Sequence, residues 1–237
     1  MAGSYIVAGA RTPIGKMSGA LSSFSAADLG GFAIKAALER AGVKPEEVEH
    51  VIMGQVLMAG QGQVPSRQAA SKAGIPMSVP SVNVNKVCLS GLNSIYLADQ
   101  MIQNGEADIV VAGGMESMTN APYLAMGARG GFRYGHTELA DAIIKDGLWC
   151  AFDACLMGLG TERYTGGGIS RDEQDDAAMK SNQRAAAAIA AGKLADEIVP
   201  VAVPQRKGDP LMVTNDEGVR ADTTMESLGG LKPAFDK

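Results

Sequence analysis

Val84-Asn85-Lys86-Val87-Cys88-Leu89-Ser90-Gly91-Leu92 is the stretch on which the reading of this chain turns, because a strand-like run breaks there into a helix. Upstream, Pro80-Ser81-Val82-Asn83-Val84-Asn85 alternates small polar and β-branched residues, the pattern of a short strand. Downstream, Leu89 to Gln103 is mostly small or apolar and predicts a buried helix. That puts Cys88 at the first turn of a helix, among unsatisfied backbone N–H groups and the positive end of the helix dipole. Both favour the thiolate, which is the nucleophilic form of cysteine. The same residue also reads as a small buried hydrophobe, the commoner role of a free cysteine.

Outward from that junction, the first half of the chain alternates strands and helices. Ser4 to Ala10 predicts a first strand, closed by Arg11-Thr12-Pro13-Ile14-Gly15. A helix follows over about 26–41, with Ser25 as its cap, Asp28 in its first turn and Gly42 at its end. His50 to Val56 reads as a strand, Ser66 to Ala73 as a short helix, and Ala107 to Gly114 as a strand buried on both faces. The order predicts an α/β fold, a parallel or mixed sheet with right-handed crossovers. After Met115 the composition shifts toward Gly, Met and charge, with weak strands at Ile198–Val203 and Leu211–Thr214. One long helix is expected from Arg171 to about Ala191, opened by the capping box Ser170 and Glu173.

Composition narrows the chemistry. The 237 residues can bury a sizeable core, and 46% hydrophobic with 20% charged residues is ordinary for a soluble globular protein. A net charge of −5 argues against nucleic acid as the main partner. No apolar run is long enough to span a bilayer, so no membrane association is expected. Three cysteines, Cys88, Cys150 and Cys155, form neither an even set nor a CxxC motif, so no disulfide framework is expected and cytoplasmic or matrix-like reducing conditions fit. Cys150 and Cys155 read as buried small residues. His50 and His136 read as strand-end and loop residues, and no paired Cys/His spacing supports a metal site.

Three segments in order, Ala10-Arg11-Thr12-Pro13-Ile14-Gly15, Asn85 to Leu92, and Ala112-Gly113-Gly114-Met115-Glu116-Ser117-Met118, resemble the thiolases. Gly229-Gly230-Leu231-Lys232-Pro233-Ala234-Phe235 is similar to the family segment leading out of its loop domain. The likeness runs over essentially the whole chain and is nearest the acetyl-CoA acetyltransferase branch. It implies a thiolase-like mixed sheet with helices on both faces over 1–118, followed by an inserted α-rich loop domain over 119–237. That insert would cover coenzyme A and assist oligomerisation as a homodimer or homotetramer.

By the same resemblance Cys88 takes an acyl group from an acyl-CoA as a thioester, and a second acetyl-CoA then attacks to give acetoacetyl-CoA or another 3-ketoacyl-CoA. The reverse is thiolysis, as in fatty acid metabolism. Coenzyme A thioesters are substrates, and no cofactor is implied. Arg220 aligns with an arginine beside the adenine and phosphates, Ser227 with a serine near the pantetheine, and Met157 with a methionine lining the acyl pocket. Their plainer readings are a surface cation, a helix cap and core. Leu156 departs from the branch, which has histidine there, so an apolar wall replaces an imidazole. The resemblance also implies a second half of the fold, carrying the base and the second cysteine. The chain is expected to stop before its first domain's closing strand. Alternatives are a decarboxylating ketoacyl synthase-like enzyme and a CoA-binding module inactive without the second half.

Overall fold

The computed structural model describes residues 3–235. Helix α1 runs Ala26–Ala41, and its ends follow from the sequence. Ser25 Oγ accepts the Asp28 N–H while the Asp28 carboxylate accepts the Ser25 N–H, and Gly42 closes the helix at φ 67°. Strand β1 (His50–Gly54), helix α2 (Pro65–Lys72), strand β2 (Ser81–Val84), helix α3 (Ser90–Gln103) and strand β3 (Val110–Gly114) follow. The three strands form one parallel sheet in the order β2-β1-β3.

The two-residue period of β1 assigns the two faces. Val51 and Met53 sit in the main core with Ala26, Ala27 and Ile34 of α1 and Ala69 and Ala70 of α2. Gly54, one step on, faces α3: a Cβ there would lie 2.5 Å from the Gly91 nitrogen. Gly114, the register partner of Gly54, meets the same turn, where an added Cβ would stand 3.2 Å from Gly91 Cα. Helices therefore cover both sheet faces, and the missing side chains at Gly54 and Gly114 let α3 start directly against the strand ends.

The later residues form short antiparallel pairs and helices. These are β4 (Tyr123–Leu124) with β5 (Ala140–Asp141), a π-helical turn Ile143–Leu148, and β6 (Trp149–Cys150) with β7 (Cys155–Leu156). Then come α4 (Met157–Thr165), α5 (Arg171–Ala190), the hairpin β8 (Val201–Val203) with β9 (Leu211–Val213), and α6 (Met225–Gly229). The β8–β9 hairpin packs on the first half, where Val201, Val203 and Val213 share a core with Leu21, Phe24 and Phe32. Arg11 is held there by Asp216 at 2.7 and 3.0 Å and by Glu197 at 2.6 Å. Among the described residues no helix is long and apolar enough to cross a membrane.

Four expectations of secondary structure are corrected. Strand β3 starts at Val110 rather than Ala107, and its residues are partly exposed instead of buried on both faces. Ser4 to Ala10 forms no strand: no described strand lies beside it, and Tyr5, Ile6 and Val7 are exposed. Only Arg11 pairs, through a single bridge to Ile198. Helix α3 is not buried all round. A stripe of Ser90, Ser94 and Ala98 is buried, whereas Leu92, Ile95 and Tyr96 point outward, because only small side chains fit the close approach to the glycine-ended strands. Strand β1 ends at Gly54 rather than Val56, since the N–H groups of Val56 and Leu57 bond to the Glu116 carboxylate instead of a neighbouring strand.

Candidate active site

Beyond the carboxyl ends of β1 and β3 lies a cleft of about 410 Å³. Parallel sheets characteristically leave ligand sites there. Its walls are Gly54–Leu57 after β1, the turn Val87–Gly91, Gly114–Met118 after β3, and Ile143, Gly147 and Leu148 of the π-helical turn. Cys88 is exposed and lines this cleft. It stands just before Leu89, the residue preceding α3, so it lies one step outside the helix rather than in its first turn.

The turn carrying Cys88 is strained and held. Val87 has φ 50°, a left-handed conformation that a β-branched residue rarely adopts and that costs about 1–3 kcal/mol. Side chains on both sides compensate. Asn85 Oδ1 accepts the Val87 N–H at 3.0 Å. Ser90 Oγ accepts the Lys86 N–H at 2.8 Å and donates to the Val87 carbonyl at 2.6 Å. Asn85 Nδ2 also donates to the Val56 carbonyl at 3.4 Å, tying the turn to the opposite wall. Among the described residues the Cys88 N–H meets no acceptor. A thiol and an open backbone donor on the same residue are the two groups that acyl transfer to sulfur needs first.

Glu116 is the charged group of the cleft, and no role for it was legible in the sequence. Its carboxylate accepts the Val56 N–H at 2.8 Å and the Leu57 N–H at 3.3 Å. Burial raises its pKa above the ordinary carboxylate value and outweighs the opposing pull of the Val56, Leu57 and Gln55 hydrogen bonds. The available signal was its position directly after a buried apolar strand, in Gly113-Gly114-Met115-Glu116.

The other sequence-predicted residues stand outside the cleft walls. Arg220 is exposed and has no ion pair among the described residues; its backbone N–H is held by Asn182 Oδ1 of α5 at 3.0 Å. Ser227 sits in the first turn of α6. Its N–H donates to Thr224 Oγ1 at 3.1 Å and its Oγ accepts the Thr224 N–H at 3.0 Å, a reciprocal cap. Arg171 of α5 donates to the carbonyls of Leu228 and Leu231 at 2.6 and 3.1 Å, so Arg220 and Ser227 both hang from one helix. Leu156 precedes α4 and Met157 opens it, half-exposed, while the Phe235 ring lies on Gly158, where an added side chain would have to displace the ring. His50 begins β1 at its amino end and His136 is in an exposed loop, so neither histidine reaches the cleft.

The thiolase N-terminal domain model matches residues 4–237. The chain belongs to the thiolase family. It is 56% identical over 233 residues to a probable acetyl-CoA acetyltransferase of Mycolicibacterium smegmatis, covering 98% of this chain and 60% of that protein. It is 54% identical over 233 residues to an acetyl-CoA acetyltransferase of Cupriavidus necator, covering 98% of this chain and 59% of that protein. A probable acetyl-CoA acyltransferase of Staphylococcus aureus is 48% identical, with the same shares covered. This thiolase chain spans about 60% of the length of the curated relatives it matches.

Proposed function

We propose that the protein containing this chain is an acyl-CoA:acetyl-CoA C-acyltransferase acting through Cys88. The observation that carries the proposal is Cys88, on a held, strained turn lining the cleft beyond the sheet's carboxyl edge, with a backbone N–H that meets no acceptor among the described residues. Cys88 Sγ attacks the thioester carbonyl of an acyl-CoA as a thiolate. A carbon–sulfur bond forms to Cys88, the bond to coenzyme A breaks, and coenzyme A leaves with the proton. The oxyanion formed on the way is met by the Cys88 N–H. In synthesis the carbanion of a second acetyl-CoA attacks the acyl-enzyme and yields acetoacetyl-CoA or a longer 3-ketoacyl-CoA. Thiolysis runs the same steps backward.

The carbanion step requires a general base near the substrate's α-carbon. Neither His50 nor His136 lines the cleft, so we assign the base to the part of the family fold that this chain does not span. Exposed and in no ion pair among the described residues, Arg220 suits the phosphates of coenzyme A, and Ser227 on the same support suits the pantetheine. Leu156 and Met157 are assigned to the acyl side, with residues 119–237 as the loop domain over the CoA. A homodimer or homotetramer in the cytoplasm completes the reading, with coenzyme A thioesters as substrates and no bound cofactor.

The test is CoA-dependent loss of acetoacetyl-CoA, followed in parallel with release of carbon dioxide from a malonyl thioester, using the full-length protein. Thiolysis without decarboxylation is expected. Condensation that depends on the malonyl thioester would instead favour the ketoacyl synthase reading.

A further inference from the structure

Cys150 and Cys155, the two cysteines other than Cys88, are not isolated from each other. Strands β6 and β7 form an antiparallel hairpin in which Cys150 pairs directly with Cys155, and Trp149 with Leu156. Directly opposed residues of an antiparallel pair project to the same face. Their Cα atoms stand about 4.5 or 5.5 Å apart, depending on which kind of pair they form. Both spacings fall inside the roughly 4.4–6.8 Å window for a disulfide. The four residues between them escape the CxxC pattern, and the hairpin is what brings them together.

We propose that Cys150 and Cys155 form a reversible intrachain disulfide by exchange with a low-molecular-weight disulfide such as oxidised glutathione. Cys150 is the entry point, being half-buried, whereas Cys155 is buried at 5% exposure. In the reduced protein Cys150 Sγ is parked on the turn, donating to Asp153 Oδ2 and accepting the Asp153 N–H, each at 3.4 Å. Breaking these two contacts with Asp153 frees the sulfur. Cys150 loses its proton to solvent and attacks a sulfur of oxidised glutathione, expelling one glutathione as thiolate. Cys155, losing its own proton, then attacks Cys150 Sγ and expels the second. Two protein thiols are oxidised by two electrons, and one glutathione disulfide is reduced to two glutathiones.

The bridge would staple a hairpin that hangs between two functional stretches. Leu148, just before β6, lines the Cys88 cleft, and Leu156-Met157 directly follows Cys155. The disulfide does not depend on the role given to Cys88, and Cys88 lies on a different tryptic peptide.

The test incubates the native protein with oxidised glutathione at about pH 8, where thiols begin to ionise. The sample is quenched with N-ethylmaleimide in denaturant, digested with trypsin, and peptide Asp146–Arg163 is weighed. The expected product lacks maleimide and is lighter by about 2 Da than the reduced peptide, with two maleimides restored after prior treatment with dithiothreitol. A peptide that carries two maleimides or glutathione adducts after oxidation, or a bridge from either residue to Cys88, overturns the proposal.

Discussion

The carboxylate of Glu116 accepts the backbone N–H of Val56 at 2.8 Å, and this bond joins the end of β3 to the end of β1 across the Cys88 cleft. From Val56 the connection continues: its carbonyl accepts Asn85 Nδ2, and Asn85 Oδ1 accepts the N–H of strained Val87, next to Cys88. Glu116 therefore helps hold the turn that carries Cys88.

Glu116→Ala should cost about 1–3 kcal/mol, because it leaves the Val56 and Leu57 N–H groups without their acceptor. Glu116→Gln keeps one acceptor and should cost less. The pH dependence has a definite sign. Burial raises the folded-state pKa, so the Glu116 contribution is fully present below the unfolded value of about 4.3 and is lost as pH rises through the folded one. Urea titrations of both proteins across that range should show a flatter curve for Glu116→Gln. Parallel curves would remove Glu116 from the account.

Asp216 gives the opposite sign. Its hydrogen bonds from the Arg11 guanidinium hold its carboxyl below the usual range, despite partial burial. That contribution is present above the unfolded value of about 3.9 and is lost as pH falls through the lower folded value. Asp216→Asn should cost about 1–3 kcal/mol near neutrality and progressively less in acid, where the native carboxyl is itself protonated. A penalty that stays constant into acid would mean the side chain matters through shape and not charge.

Much of the fold was legible because the relevant signals are local. Ser25, Asp28 and Gly42 bound α1, and Ser170 and Glu173 open α5 at Arg171, as expected from their spacing alone. Two of the misreadings share a cause, which is that strands end where distant side chains take over their N–H groups. Glu116 ends β1 early, and Glu49 accepts the N–H groups of Asp108 and Ile109, so β3 starts at Val110 and not Ala107. Ser4 to Ala10 has a strand's composition, but no described strand lies beside it. At the site, Cys88 announced itself by motif, whereas the brace from Glu116 through Val56 to Asn85 is a tertiary relation over about sixty residues, which no local pattern encodes.

Arg220 should reveal itself as a binding group. Arg220→Ala is expected to raise the apparent KM for CoA substrates about tenfold with kcat little changed, the size of one lost charge-assisted contact. Steady-state kinetics of the full-length protein check it. A collapsed kcat with unchanged KM would contradict a role in holding coenzyme A.

Leu156 sets the acyl preference if it walls the acyl side. Leu156→His should shift relative kcat/KM toward acetoacetyl-CoA and away from longer 3-ketoacyl-CoA substrates, by about tenfold for the loss of one apolar contact. An unchanged ratio would place Leu156 outside the pocket.

The central claim is that Cys88 carries the acyl group, and peptide mapping after acetyl-CoA treatment tests it most directly. Full-length protein is incubated with acetyl-CoA, quenched in acid, digested and weighed. The account predicts a single acetyl group on the peptide beginning at Val87, lost on addition of coenzyme A and absent from Cys88→Ala, which should also show no thiolysis. Acetyl found on Cys150 or Cys155, or full turnover by Cys88→Ala, would contradict it.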